Sequence, residues 1–544
     1  MTGGARDIAA NTYDYIIVGA GSAGCVLANR LTADGRHKVL LLEAGPGGHP
    51  LSRVPISYGQ LIQDPAANWC YESEPEEGMA NRRIPVPRGR LLGGSSAING
   101  LVYVRGQPRD YDTWAQLGNR GWAWDDLFPI FRKIENYEGG GDDYRAEGGL
   151  LHVSECPDES PLYDALLAAG GDLGLAPNAD YNGASQEGIV KTQTTIRDGR
   201  RMSVAYCYLK PAKARANLHI VTEALATGLI FDGKRCTGVR YREGWRSGGA
   251  DRTAHAAGEV ILAGGSINSP QLLELSGVGQ PQVLADHGID LVHELPGVGE
   301  NLRDHIAPRM QMEITQPGIT YNDRMQGFGA VWQALRYLTT GRGFMSIPSG
   351  PVLAFVRSQS HLETPDLQVH FVPFTIADLK RRKLGKTPGI TASIYQLLPE
   401  SRGSIHIKST DPTEQPAIRY NFLSDALDRQ VLIDGVKWTR RILGAPSMDA
   451  IRGAELAPGD AVQSDDEILD WIRATAQTAY HPVATCKMGI DPMAVVDPRL
   501  KVHGLAGLRI ADGSIMPTLM SGNTNAACIM IGEKASEMIL EDAA

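Results

Sequence analysis

The sequence predicts an α/β domain built on a parallel sheet, interrupted by an inserted α+β domain built on an antiparallel sheet. Three observations lead there. A glycine-rich turn between two apolar runs opens the chain over residues 16–43. The texture shifts to short alternating segments over 312–465. Glycine-rich turns around apolar runs return after 480. The resulting division places 1–155, 203–311 and 466–544 in the α/β domain, and 156–202 and 312–465 in the inserted one.

The opening unit is Ile16-Ile17-Val18, then Gly19-Ala20-Gly21-Ser22-Ala23-Gly24, then Val39-Leu40-Leu41-Leu42-Glu43. It reads as strand, turn, helix, strand and terminal carboxylate. Gly19 permits the tight turn, Gly21 admits a pyrophosphate to the backbone, and Gly24 lets helix and strand pack closely. The helix starting near Ser22 aims free N–H groups at phosphates. A carboxylate at Glu43 can accept from ribose hydroxyls, which disfavours a 2′-phosphorylated dinucleotide.

Further along, 46–55 and 75–87 read as loops, and Trp114–Glu135 as short helices punctuated by Gly121 and Pro129. Ser160–Gly174 reads as an amphipathic helix through Leu162, Leu166, Leu167 and Leu173. Leu218–Val221 and Thr237–Tyr241 alternate like strands around the turn Asp232-Gly233. Glu259–Gly265 is a buried-type strand, after which Ser269-Pro270-Gln271 predicts a helix start. Leu367–Val372 and Gly403–Lys408 predict antiparallel strands with one helix-covered face.

Bulk composition narrows the function classes. The chain has 544 residues, enough for two or three domains, and its charged (21%) and apolar (42%) fractions are ordinary for a globular protein. A formal net charge of −9 argues against a nucleic-acid surface. The seven cysteines show neither a CxxC pair nor a metal-like spacing, which suits reduced thiols and predicts no metal site. Met1–Asn11 lacks a secretion-signal pattern, and no apolar run reaches the ~20 residues of a membrane helix. The expectation is a cytoplasmic protein without an integral membrane segment, with peripheral contact at the inner membrane left open. Oligomeric state is not legible.

Four further blocks carry chemistry. Arg88-Gly89-Arg90-Leu91-Leu92-Gly93-Gly94-Ser95-Ser96-Ala97-Ile98-Asn99-Gly100 exposes backbone N–H groups through its paired glycines. Next come Gly264-Gly265-Ser266-Ile267-Asn268-Ser269-Pro270 and Pro296-Gly297-Val298-Gly299-Glu300-Asn301-Leu302-Arg303-Asp304-His305. The last runs from Tyr480-His481-Pro482 through Cys486-Lys487-Met488-Gly489 and Ile510-Ala511-Asp512-Gly513 to Ser521-Gly522-Asn523-Thr524-Asn525. In this order, from about residue 13 to 540, the blocks resemble the glucose–methanol–choline family of FAD-dependent alcohol oxidoreductases, and most closely its bacterial choline and alcohol dehydrogenases.

That resemblance implies a Rossmann-like FAD-binding domain with an inserted substrate domain. By position, Gly19, Gly21, Ser22, Gly24 and Glu43 would hold the ADP half, with Ala226 against the adenine. Arg90, Gly93, Gly94, Ser95, Asn99, Gly100 and Val102 would lie along the pyrophosphate and isoalloxazine. Asp512, Asn523 and Thr524 would approach from the C-terminal side. Some relatives bind FAD covalently through a histidine where this chain has Ile98, so noncovalent FAD is expected. His481 and Asn523 are the expected reacting pair. An imidazole with a pKa near ~6.5 can take a hydroxyl proton at neutral pH, and an amide N–H can stabilise developing alkoxide. Of the thirteen histidines, His305 and His503 sit in family blocks but are expected to make turn or backbone bonds. Tyr480 and His370 are candidate pocket walls, and Ala484 replaces a family glycine.

The implied reaction is oxidation of a primary alcohol to an aldehyde, with electrons passed to a quinone or other carrier. An oxygen-using alcohol oxidase and an FAD-containing hydroxynitrile lyase are the alternatives. Aromatics at 6% of residues weaken a quaternary-ammonium cage. The basic run Leu379-Lys380-Arg381-Arg382-Lys383, extending to Lys386, reads as a solvated loop or as a lure for an anion.

Overall fold

The computed structural model describes residues 11–378 and 383–544, so most of the basic run (379–382) lies outside the described residues. The first strand, Thr12–Val18, lies parallel between Val39–Leu42 and the long strand Ala250–Leu262. Leu218–Val221 extends the sheet beyond Val39–Leu42, and Leu508–Ile510 pairs with the far end of the long strand, both parallel. Ile16, Ile17, Val39 and Leu41 are wholly buried, which is why these strands read as unbroken apolar runs rather than alternating ones. The turn helix Ser22–Leu31 packs against the C-terminal helix Asn525–Asp542, and the Arg30 guanidinium meets the buried Glu533 carboxylate at 2.7 Å.

The long strand changes partner along its length. Around His255 it pairs antiparallel with Arg235–Glu243, and from Val260 onward it pairs parallel with Leu508–Ile510. The hairpin closed at Asp232-Gly233 is Ala224–Asp232 with Arg235–Glu243. This corrects the sequence reading, which took Leu218–Val221 as the first hairpin strand. Glu223, at φ 54°, breaks the chain between the two segments and sends Leu218–Val221 into the parallel sheet. The helix expected from Ser269 begins earlier and spans Gly265–Leu275, with Pro270 inside it. Pro270 has no N–H to give the Ser266 carbonyl, and Thr485 Oγ1 donates to that carbonyl instead at 2.7 Å.

The second sheet has six strands, all antiparallel, in the order Arg452–Ala457, Arg309–Ile314, Gly389–Gln396, Leu367–Val372, Val352–Val356 and Gly188–Lys191. Leu367, Val369, Phe371, Ile390, Ala392 and Ile394 share a core with helices Ala426–Leu443 and Pro161–Asp172. The residues between them point the other way. Gly403–Lys408 was expected in this sheet, but Ser404–His406 forms a separate ribbon with Ala417–Arg419. His406 pins that ribbon toward the first domain through Glu274 (2.7 Å) and Glu300 (3.1 Å), and these carboxylates push its pKa up to about 9 despite burial.

Candidate active site

At the glycine turn, backbone approaches backbone. A Cβ on Gly24 would lie 1.9 Å from the Gly19 carbonyl oxygen, and one on Gly94 would lie 2.7 Å from Gly21 Cα. Gly94 also sits at φ 51°, in the left-handed region. The first and second sequence blocks are therefore pressed into one cradle. Glu43 accepts from Ala20 N–H (3.0 Å) and Gly45 N–H (2.9 Å), and burial raises its carboxyl to about 7. A narrow cavity of about 170 Å³ runs past Gly19, Gly21, Ser22, Glu43, Gly94, Ser95, Ala226, Asp512 and Thr524. Asp512 accepts from Gly265 N–H (2.8 Å) and Ser269 Oγ (2.6 Å), tying the C-terminal block to the helix that starts there.

Ser22, Ser95 and Thr524 also border a second cavity of about 840 Å³, lined by Asn99, Gly100 and Val102 on one side and by His370, Thr391, Ser393 and Tyr395 of the antiparallel sheet on the other. Tyr480, His481 and Asn523 close it. Gly24, Arg90 and Gly93 line neither cavity. The Arg90 guanidinium instead stands 5.5 Å from the Trp69 ring centroid and 5.6 Å from that of Trp245. Its neighbour Arg88, which the sequence reading did not single out, borders both cavities and donates to the Tyr480 carbonyl (2.9 Å) and Ser95 Oγ (2.8 Å). Arg201, buried and lowered to about 9 by desolvation, donates to Asn99 Oδ1 at 2.7 Å and fixes the second block from behind.

The hydrogen bonds of two histidines fix where one proton sits. His305 Nε2 lies 2.8 Å from the Leu397 carbonyl oxygen, which can only accept, so that nitrogen carries the hydrogen. Burial lowers the His305 pKa to about 4, so at neutral pH it has a single N–H and its Nδ1 is an acceptor. His481 Nδ1 lies 2.9 Å from that acceptor and must donate to it. The second nitrogen of His481, Nε2, is left bare. It faces Asn523 Nδ2 at 3.1 Å, inside the large cavity. Burial, then the nearby His305, His370 and Arg88, hold the His481 pKa well below the usual imidazole value, so the ring is neutral at pH 7.

The loop around His481 is held as firmly. Asp304 accepts from His481 N–H at 2.7 Å and from Thr478 Oγ1, which in turn accepts from Tyr480 N–H at 2.8 Å. Burial raises the Asp304 carboxyl to about 6. Tyr480 and Ala484 have φ of 73° and 77°, so Ala484 keeps the left-handed backbone that a glycine takes more easily. Gln368 Nε2 donates to Asn523 Oδ1 (3.3 Å) and approaches His370 Nε2 (2.9 Å), which also accepts from Tyr395 Oη (2.6 Å). With its oxygen engaged by Gln368, the Asn523 amide turns its N–H group toward His481.

His305 makes the backbone bond expected of it, to the Leu397 carbonyl, and its other nitrogen also sits behind the His481 imidazole. The missed signal is its partner: Leu397, just past the strand Gly389–Gln396, is remote in sequence and carries no side-chain chemistry. Arg88 and Gln368 were missed for the same reason, since each acts through a tertiary contact.

Two family models for GMC oxidoreductases match residues 13–307 and 399–532. The chain is 42% identical over 530 residues to an oxygen-dependent choline dehydrogenase from Brucella ovis, covering 97% of this chain and 95% of that one. It is 43% identical over 533 residues to an alcohol dehydrogenase (acceptor) from Pseudomonas putida, covering 97% and 96%. The solved structure of pyridoxine 4-oxidase from Mesorbium loti superposes with a TM-score of 0.87 at 30% identity, covering 96% of this chain and 98% of that one. The glycine cradle, the cavity beyond it and these likenesses together show that the chain belongs to the glucose–methanol–choline (GMC) oxidoreductases, FAD-dependent enzymes acting on CH–OH donors.

Proposed function

We propose that the protein oxidises a neutral primary alcohol with an apolar body to the aldehyde, with His481 Nε2 as the base and Asn523 Nδ2 as the donor to the alcohol oxygen. One observation carries the reading: His481 presents a bare, neutral nitrogen to the cavity beside an oriented amide N–H. A hydroxyl seated against both, in place of the hydrogen bond they make with each other, donates to Nε2 and accepts from Nδ2. Proton transfer to His481 removes the hydroxyl hydrogen while the amide N–H stabilises negative charge on oxygen. The protonated imidazole then keeps its Nδ1 hydrogen bond to His305. FAD, when bound, supplies the two-electron acceptor for the hydride at N5.

The residues present fit that cofactor. Gly94 packs so closely on Gly21 that a Cβ there would clash, and the narrow cavity beside this backbone contact runs from Glu43 and Ala226 to residues shared with the large cavity. On this reading Gly19, Gly21, Ser22, Glu43 and Ala226 hold the ADP half, and Ser95, Asn99, Gly100, Val102 and Thr524 lie along the ring system. Ile98 lines the cavity with an alkyl side chain that offers no nucleophile, which supports noncovalent binding.

The substrate class follows from the wall. Val54, Ile56, Leu101, Ala307, Phe344, Phe374, Ile376 and Leu384 give it an apolar body, and among the described lining residues Asp64 is the sole carboxylate, against Arg88 and Arg309. That balance disfavours a quaternary ammonium and favours an uncharged alcohol. Electrons are taken to leave to a separate acceptor, as the name of the Pseudomonas putida relative has it, and a quinone or similar carrier is the class proposed here. Anaerobic mixing with aliphatic, aryl, polyol and choline alcohols tests both points. Flavin bleaching by apolar primary alcohols, with faster recovery by a quinone than by air, supports the proposal. Bleaching by choline alone contradicts the substrate class. Unbleached flavin with aldehyde release from mandelonitrile contradicts oxidation and favours the lyase.

A further inference from the structure

One wall of the large cavity is a single helix with an unusual outer side. Ala330, Gln333 and Ala334 of Gly329–Thr340 face the cavity. On the opposite side Phe328 (91% exposed), Leu338 (77%), Val331 (66%), Trp332 (63%) and Leu335 (50%) are open to solvent. Their spacing of three, four and seven residues makes one continuous apolar stripe. Scattered apolar residues are ordinary on a surface, but five large ones on one helix face mark a contact.

We propose that this face is an interfacial membrane anchor that seats the protein on an anionic lipid surface, with the cavity wall between lipid and His481. Charge selects the occupant. Arg342, Lys383 and Lys386 are exposed close by in sequence or packing, with Arg324 and Arg336 half-buried beside them. The ribbon Ile376–Asp378/Lys383–Leu384 shares an apolar cluster with Phe344 and Met325, which join it to this helix. Of the acidic groups there, Asp323 is occupied by Gly318 N–H and Thr320, Asp378 lies opposite Lys383, and Asp198, whose backbone packs on Gly341, faces the Arg197 guanidinium at 3.7 Å. This basic edge stands on a chain of net charge −9, so it is a local feature. A second copy docking by the same face would set these cations against themselves, whereas anionic headgroups complement them. An apolar face with an indole, rimmed by Arg and Lys, is the pattern of a helix lying in the lipid interface. Among the described residues no helix is long and apolar enough to cross a membrane, so the contact is peripheral.

Flotation of the FAD-loaded protein tests this, using vesicles of phosphatidylcholine alone or mixed with phosphatidylglycerol. Expected is co-flotation with the mixed vesicles, weakened by salt and far weaker on phosphatidylcholine alone. The triple variant Phe328→Ser/Trp332→Ser/Leu338→Ser should lose at least about tenfold in partitioning. Arg342→Glu/Lys383→Glu should lose the preference for anionic vesicles. Melting temperature and flavin absorbance check that both variants are folded, independently of any alcohol substrate. No flotation of the wild type overturns the proposal. So does a concentration-dependent dimer in light scattering that the triple variant dissolves, since a second copy would then own the face.

Discussion

The two sheets build their halves of the site by opposite means. In the parallel half the backbone does the work: a Cβ on Gly19 would lie 2.5 Å from the Ala263 carbonyl oxygen and one on Gly94 2.7 Å from Gly21 Cα, so neither position admits a side chain. In the antiparallel half the side chains do it, with His370, Val372, Thr391, Ser393 and Tyr395 lining the cavity while Leu367, Val369, Phe371, Ile390, Ala392 and Ile394 pack on the helices. On the proposed reading, a cofactor shared across the family is met largely by main chain, and the substrate by side chains that can be exchanged without moving the sheet. His481 and Asn523 stand at the seam, positioned by both halves through Asp304, His305 and Gln368.

The sharpest break in that comparison comes at the seam. His481→Ala should retain FAD absorbance while anaerobic reduction by alcohol slows by about 10²–10⁴-fold. Asn523→Ala should slow the same step by on the order of 10²-fold, with smaller change in apparent substrate affinity. On the backbone side, Gly94→Ala places a Cβ 2.7 Å from Gly21 Cα. It should cut FAD affinity by at least about tenfold, measured by titration of the apoprotein, because the strain falls where phosphate must approach main chain. On the side-chain side, His305→Ala should leave FAD affinity unchanged and slow reduction by roughly tenfold, since His481 keeps its base but loses its fixed tautomer. If Gly94→Ala left FAD binding intact while slowing catalysis, the division of labour between the halves would be wrong.

What the sequence disclosed follows the same division. The glycine turn was legible because backbone constraints act between neighbours in the chain: Gly19, Gly21 and Gly24 are required by residues a few positions away. The resemblance named His481 and Asn523, but nothing local revealed why Nε2 is the bare nitrogen, because His305 takes its orientation from a carbonyl just past a strand of the other sheet. The helix start at Gly265 was missed because Pro270 reads as a first-turn residue until Thr485 is seen serving the orphaned carbonyl. The strand Ala224–Asp232 was missed because its break from Leu218–Val221 depends on Glu223 taking a positive φ, which glutamate rarely does. The cavity wall was legible only in part: His370 could be named from its strand, whereas Gln368 acts through Asn523 in the C-terminal block and Tyr395 through His370 on the neighbouring strand.

The central claim is that His481 stands neutral, with Nε2 bare, throughout the working pH range. The pH dependence of the second-order rate of anaerobic flavin reduction reports the free enzyme's base. Because the His481 pKa is held well below the ordinary imidazole value by burial and by its neighbours, the base stays deprotonated as pH falls through that value. The rate should therefore be flat from about pH 8 down to about pH 6.5, the ordinary imidazole pKa. A rate that instead falls through that interval along a single ionisation, and does so equally in His305→Ala, would contradict the account.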